Sequence, residues 1–374
     1  MLPSAPPDSL GIDPRRLERA FAHLQGWLDD GVVTAVAVAV ARRGHIAGTF
    51  YGGTVTGAPG GPPVTADSLF HLASIGKPMT ALAAMLLVEE GLVALDDPVS
   101  AVLPDFAGAE REKITLRHLL SHTSGLAQDA DLTGLPAGAD TAAELHSYLS
   151  ARPVVPTGSK VEYSNVGYGL LGLIVEAASG QPFATFMRER LFRPAAMESA
   201  YLAPPDEIAA RIVHVAGTQE PGSAYERFNS PHARRQTHPA GHVIGSALDV
   251  AQFFQLFLSG GRAGAVQVAS PATARLMTTS ETDGLRGGIE GFMTWDDCAW
   301  GLGFDLRGVK RPHFSGEYSS PETFGHTGVA GTFAWADPAS DLVCVMLANR
   351  MLYNRWNSSR WSRFSTAVAG AVVG

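Results

Sequence analysis

Cysteine is nearly absent from this chain: Cys298 and Cys344 are the only two in 374 residues. Two cysteines build no disulfide framework, so an apolar core must carry the fold, and a reduced compartment, the cytoplasm, is the expected location. Lysine is scarce too, with four among the 28 basic residues. The 36 acids outnumber the bases, and no basic run interleaved with aromatics occurs, which argues against a nucleic-acid partner. The opening Met-Leu-Pro-Ser-Ala-Pro-Pro-Asp lacks the charged and apolar regions of a secretory signal. The longest early apolar stretch, near Val33 to Ala41, is too short to span a bilayer and reads as a strand, so no membrane partner is expected. No complete Gly-x-Ser-x-Gly occurs, which removes support for an α/β-hydrolase elbow. What remains is a chain 45% hydrophobic and 17% charged, an ordinary globular composition with a length that allows two lobes.

Asp13-Pro14 opens a predicted helix with Leu17, Phe21, Leu24 and Leu28 on one face. The run Thr34–Ala41 and a second strand near His45–Tyr51 flank Arg43-Gly44, a hairpin signal. From Ser74 to about Gly260 helical patterns dominate: Leu116–Leu120, Gly169–Ala178, Phe183–Leu191 and Leu248–Leu258. Strands return at Ala299–Leu306, Gly331–Ala336 and Leu342–Leu347, before a helix near Ser358–Val372. Strands at both ends around a helical middle predict an α+β fold with one antiparallel sheet built from both termini. The expected division is an α/β lobe of residues 1–70 and 285–374 and a mostly helical lobe of residues 71–284.

The chemistry starts at Ser74-Ile75-Gly76-Lys77-Pro78. Proline is accepted only in the first turn of a helix, so Pro78 pins a helix start near Ser74, and Gly91 is a plausible end. Residues three apart share a helix face, which sets Lys77 beside Ser74 as a base beside a nucleophile. Chance alone supplies such a pair about 0.3 times in this composition, so further motifs must carry the argument. Tyr163-Ser164-Asn165 is a second constellation: Asn165 suits a helix N-cap, and Tyr163 suits a proton carrier whose phenol pKa an adjacent cation lowers. Phe324-Gly325-His326-Thr327-Gly328 is the third, otherwise a strand end with a glycine bend.

Together the three motifs resemble the Ser-x-x-Lys, Tyr-x-Asn and Lys/His-Thr-Gly triplet of the serine β-lactamase and penicillin-binding-protein superfamily. Leu95–Val99, Leu119–Leu126, Tyr163–Gly172 and Trp300–Gly303 are similar to its recurring segments, so the resemblance spans nearly the whole chain. Within it the chain is most similar to class C β-lactamases, D-aminopeptidases, DD-peptidases and family VIII carboxylesterases. The resemblance implies a β-lactamase/transpeptidase-like fold with the site between the lobes, no cofactor and no metal. Carried onto this sequence, it makes Ser74 the acylated nucleophile, Lys77 its activator and Tyr163 the proton shuttle. Asn165 would orient Lys77 and substrate, and the backbone N–H groups of Ser74 and Val329 would bind the oxyanion, with His326, Thr327 and Gly328 on the substrate side.

Two departures bear on substrate. Gly76 replaces a larger residue, which would enlarge the pocket beside Ser74. His326 stands where a lysine is common and is mostly neutral at pH 7, which favours neutral esters over carboxylate-bearing substrates, unless Arg350 restores a positive charge. A carboxylesterase with weak action on β-lactams is therefore expected. A D-aminopeptidase or DD-peptidase, an acyltransferase of secondary metabolism and a non-catalytic ligand-binding relative are the rivals, and oligomeric state is left open. His238-Pro-Ala-Gly-His242 has a zinc-like spacing, but Pro239 and Gly241 disfavour the helix that would align the rings. His122 reads as a structural histidine in a turn, and both cysteines read as core.

Overall fold

Alanine and valine alternate from Ala35 to Ala41, and in the computed structural model of the protein this run is an interior strand of the largest sheet. The structure describes residues 1–108, 110–135, 138–224 and 226–374. The strands are β1 (Ala35–Arg42), β2 (His45–Gly53), β3 (Asp305–Leu306), β4 (Phe324–Gly328), β5 (Thr332–Asp337) and β6 (Leu342–Ala348). They run antiparallel in the order β3-β4-β5-β6-β1-β2, with Val36 opposite Ala348 and Arg42 opposite Leu342. The sheet is therefore assembled from both ends of the chain, and the fold is α+β.

Both faces of β1 are covered, which suits a strand without polar residues before Arg42. Ala35, Ala37, Ala39 and Ala41 point into one core and Val36, Val38 and Val40 into another. Five helices matter here: α1 (Pro14–Asp29), α2 (Gly76–Glu89), α3 (Asn165–Ser179), α4 (Ala247–Leu258) and α5 (Arg360–Ala369). The short alanine side chains let α4, from the middle of the sequence, lie on β1, β5 and β6. Helices α1 and α5 cover the valine face, where the rings of Trp27 and Phe364 meet at 6.1 Å. Asp13 caps α1 by accepting the Arg16 N–H at 3.1 Å, and Leu17, Ala20, Leu24 and Trp27 are buried beneath it. Burying a side chain the size of leucine contributes about 1.5–3 kcal/mol, so this face anchors the N-terminal helix firmly.

Helix α2 is apolar all round and buried from Gly76 to Leu87, as a helix inside the core should be. It runs against α3 and carries Lys77 on its first turn. The cap of α3 is Ser164, not Asn165: Ser164 Oγ accepts the Gly167 N–H at 3.0 Å, which frees the Asn165 side chain for other work. Gly172 of α3 gives the loop at 238–242 its close approach, since a Cβ there would stand 2.1 Å from Pro239 Cγ.

Several elements differ from the sequence expectation, among them the following three. The segment 299–306 is extended only at Asp305–Leu306, because Gly301 and Gly303 (φ 101°) turn the chain back, with Gly301 N–H bonded to the Phe304 carbonyl. The helix at Phe183–Leu191 continues as a π-helical stretch from Met187 to Phe192. A small sheet of Val161–Glu162, Gly287–Ile289 and Met293–Trp295, flanking Tyr163, is additional. Cys298 and Cys344 are buried and unpaired with each other. Among the described residues no single helix is long and apolar enough to cross a membrane.

Candidate active site

Ser74 sits in a tight 3-10 turn, Ala73–Ile75, that feeds directly into α2. Ala73 holds a positive φ of 48°, so the serine stands on a sharp bend at the helix entrance and stays partly exposed. The bend is pinned from the sheet: Thr332 Oγ1 donates to the Leu72 carbonyl at 3.0 Å. Gly328 at the end of β4 lies so near that a Cβ would stand 2.4 Å from the Leu72 oxygen. This contact explains the glycine of the third motif.

One turn on, Lys77 Nζ lies 3.1 Å from Ser74 Oγ, 2.7 Å from Asn165 Oδ1 and 2.7 Å from the Ala240 carbonyl oxygen. It also stands 4.8 Å from the centre of the Tyr163 ring. Burial holds the Lys77 amine well below the ordinary lysine pKa, Asp129 partly opposes the shift, and Arg227 reinforces it. Tyr163 moves the other way. Burial raises its phenol pKa, with a hydrogen bond to Ser74 as the counterweight. The expected lowering of the phenol pKa is thus reversed by burial, with Asp129 and Asp305 adding to the rise.

A cavity of about 630 Å³ opens over these groups, lined by Ser74, Tyr163, Asn165, Thr327 and Val329. Alternation along β4 turns His326 away from it. His326 is 1% exposed, its Nδ1 is bonded to the Thr327 carbonyl at 2.7 Å, and its ring packs behind Tyr163 at 6.0 Å. Burial lowers its pKa to about 3, so the imidazole is neutral. Arg350 does not bring a charge to the cavity: its guanidinium donates to the Gly31 and Val32 carbonyls at the end of α1. Nor does Gly76 widen it, since a Cβ there would meet Val243 at 3.1 Å. The cations on the cavity wall are Arg227 and Arg355.

Asp129, Tyr148 and Glu144 carry no sequence signal, and His238 carries only its zinc-like spacing. Asn165 Nδ2 donates to Asp129 Oδ1 at 2.7 Å, so Asp129 sets the amide with its oxygen toward Lys77. His238 Nδ1 accepts the Ala240 N–H at 3.0 Å, its Nε2 lies 3.0 Å from Tyr148 Oη, and Tyr148 donates to Glu144 at 2.6 Å. That chain fixes the Ala240 peptide whose carbonyl meets Lys77. His238 is therefore engaged at both nitrogens, and His242 lines the cavity 6.0 Å away, ring to ring.

Comparison with known proteins agrees with this geometry. The profile of the Beta-lactamase family matches residues 16–364. The chain is 31% identical over 305 residues to penicillin-binding protein 4 of Amycolatopsis lactamdurans, covering 77% of this chain and 74% of that one. It is 30% identical over 319 residues to a putative D-alanyl-D-alanine carboxypeptidase of Escherichia coli K12, covering 76% and 70%. A crystal structure of a family VIII carboxylesterase, 21% identical, shares the fold with a TM-score of 0.77 over 95% of this chain and 98% of that one. A serine hydroxyl, an amine and a phenol meet at the head of one buried helix, and a family match that runs almost end to end places the chain in the Beta-lactamase family as a serine hydrolase.

Proposed function

We propose that the protein is a carboxylesterase for small to medium neutral esters, acting through an acyl-enzyme on Ser74. Two of the three groups around Lys77 Nζ are carbonyl oxygens, which only accept. A neutral amine satisfies both with its two N–H bonds and turns its lone pair to the Ser74 hydroxyl. Lys77 then takes the Ser74 proton as Oγ adds to the ester carbonyl. The oxyanion forms between the backbone N–H groups of Ser74 and Val329, donors typically worth about 3–4 kcal/mol each. Tyr163, a neutral phenol, gives its proton to the departing alkoxide and is recharged from Lys77. In the second half Tyr163 passes its proton to the neutral Lys77 amine as it takes one from water, the hydroxide adds to the acyl carbon, and Lys77 returns the proton to Ser74 Oγ as the acid leaves.

The observation that carries the ester reading is the place of His326: the position that would hold a carboxylate-binding cation is a buried neutral imidazole outside the cavity. The cavity size suits a small ligand. Arg227 on the wall favours a second reading, a carboxypeptidase like the E. coli relative is named for. A panel of neutral acyl esters, a peptide ending in D-alanyl-D-alanine and a chromogenic cephalosporin separates the two. The esterase reading expects kcat/KM at least about tenfold higher on the neutral ester, and Arg227→Ala, measured at a pH where Lys77 is neutral, to change that value by less than about threefold. A preference for the peptide that Arg227→Ala abolishes would replace it with the carboxypeptidase reading.

A further inference from the structure

His122 lies in the turn after the helix Leu116–Leu120 and takes no part in the cavity wall. It is 1% exposed and holds φ at 58°, a conformation that a non-glycine residue keeps only where its surroundings demand it. Its contacts converge on one tripeptide. The His122 carbonyl accepts the Glu162 N–H at 2.8 Å, and His122 Nδ1 accepts the Ser164 N–H at 3.0 Å. Between these two bonds lies Tyr163, whose ring is tilted 33° against the imidazole at 4.5 Å. The imidazole also packs on the Tyr168 ring at 4.9 Å, and Trp300 meets it edge-on at 5.0 Å. Tyr168 in turn donates to the Leu120 carbonyl at 3.1 Å, which ties this stack to the turn itself.

We propose that His122 is a positioning residue for Tyr163, clamping the backbone on both sides of the phenol and stacking its ring so that the hydroxyl meets the leaving group. This rests on the reading of Tyr163 as the proton carrier. Nδ1 accepts from Ser164, so the ring proton sits on Nε2, and a second proton would have to displace the Ser164 bond. The clamp is therefore held in one protonation state. Misplacing the phenol should harm substrates in proportion to how much their leaving group needs a proton.

The test compares a methyl ester and a p-nitrophenyl ester of the same acid, since nitrophenolate departs without protonation. His122→Phe keeps a ring against Tyr163 and removes the acceptor for Ser164. His122→Asn places Oδ1 near the position of Nδ1 and tolerates the positive φ. For His122→Phe the expected fall in kcat/KM, which reports acylation and not the shared deacylation, is about 100-fold on the methyl ester and under about fivefold on the nitrophenyl ester. His122→Asn should recover at least about tenfold of the loss on the methyl ester. Equal losses on both esters, or an Asn variant no better than Phe, would overturn the proposal. Tyr163→Phe is run beside them. If it shows no such dependence on the leaving group, the proton-carrier reading itself fails, whatever the His122 variants do.

Discussion

Replacing Gly328 by alanine perturbs the site without touching a reacting group. The added methyl would stand 2.2 Å from Thr332 Oγ1, 2.4 Å from the Leu72 carbonyl oxygen and 3.2 Å from Ala73 Cβ. The Thr332 hydroxyl is tied to the Leu72 oxygen and the latter is backbone, so neither steps aside cheaply. Restoring a normal contact requires the β4–β5 hairpin to draw back from the Ser74 turn by roughly 1 Å. Val329 follows Gly328 and moves with it, taking its N–H away from the proposed oxyanion position. A displacement of that size costs about 10²-fold in rate. The accompanying overpacking should cost about 1–3 kcal/mol of stability. Unfolding entropy of about 2.1 cal/mol/K per residue makes that a fall of about 1–4 °C in Tm for a chain of this length. Initial rates on a short nitrophenyl ester, a thermal melt and phosphonate labelling of Ser74 report the three consequences. A Gly328→Ala enzyme within about threefold of wild-type kcat/KM would refute the claim that this glycine sets the oxyanion geometry. Gly26→Ala is the control: an alanine Cβ there meets nothing within 4 Å inside α1, so stability should rise by about 0.5–1 kcal/mol with the rate unchanged.

Tyr163→Phe should lower kcat on alkyl esters by about 10²–10⁴-fold while Ser74 still labels with a phosphonate; an active Phe variant would make Tyr163 a packing residue. Activity should be lost as pH falls through the lowered pKa of Lys77, because protonation consumes the lone pair proposed to activate Ser74. No matching loss should come from Tyr163 below its ordinary value near 10, since burial raises it. His326, at about 3, stays neutral through this range, so His326→Gln should leave the acid limb in place, and a moved limb would contradict that. Asp129→Ala should cost about tenfold in kcat by releasing the Asn165 amide, and Asp129→Asn, which still offers an oxygen to Asn165, should restore most of it; equal loss in both would mean that Asp129 acts through its charge.

The parts of the site legible in the sequence are those fixed by local chain chemistry. Pro78 marks a helix start whatever surrounds it, so the Ser74–Lys77 pairing follows from backbone rules. The hairpin at Arg43-Gly44 and the alternation in β1 are equally local. Asp129 lies in a loop 36 residues from the Asn165 it orients, and no periodicity announces it. His238 gives a zinc-like spacing in sequence, yet its partners Ala240, Tyr148 and Glu144 come together only through packing. The direction of the Tyr163 shift failed for the same reason: burial of the phenol, which only packing reveals, raises its pKa whatever residue the motif places nearby. The motif reading sets a neutral His326 on the substrate side and allows Arg350 a charge there, yet both face elsewhere, because which way a strand residue points depends on register, which a short motif does not contain.

The pairing of β1 with β6 also has a consequence in time. Val36 meets Ala348, so a ribosome releases β1 about 300 residues before its neighbour exists. At 5–20 residues per second that is a wait of about 15–60 s. Strand β2 arrives at once and covers one edge, while the other edge offers an uncharged, proline-free run of alanine and valine to any strand nearby. Such a run has the makings of intermolecular pairing. Slowing synthesis of the last third of the chain should therefore lower the soluble yield, even though the finished protein hides this strand on every side.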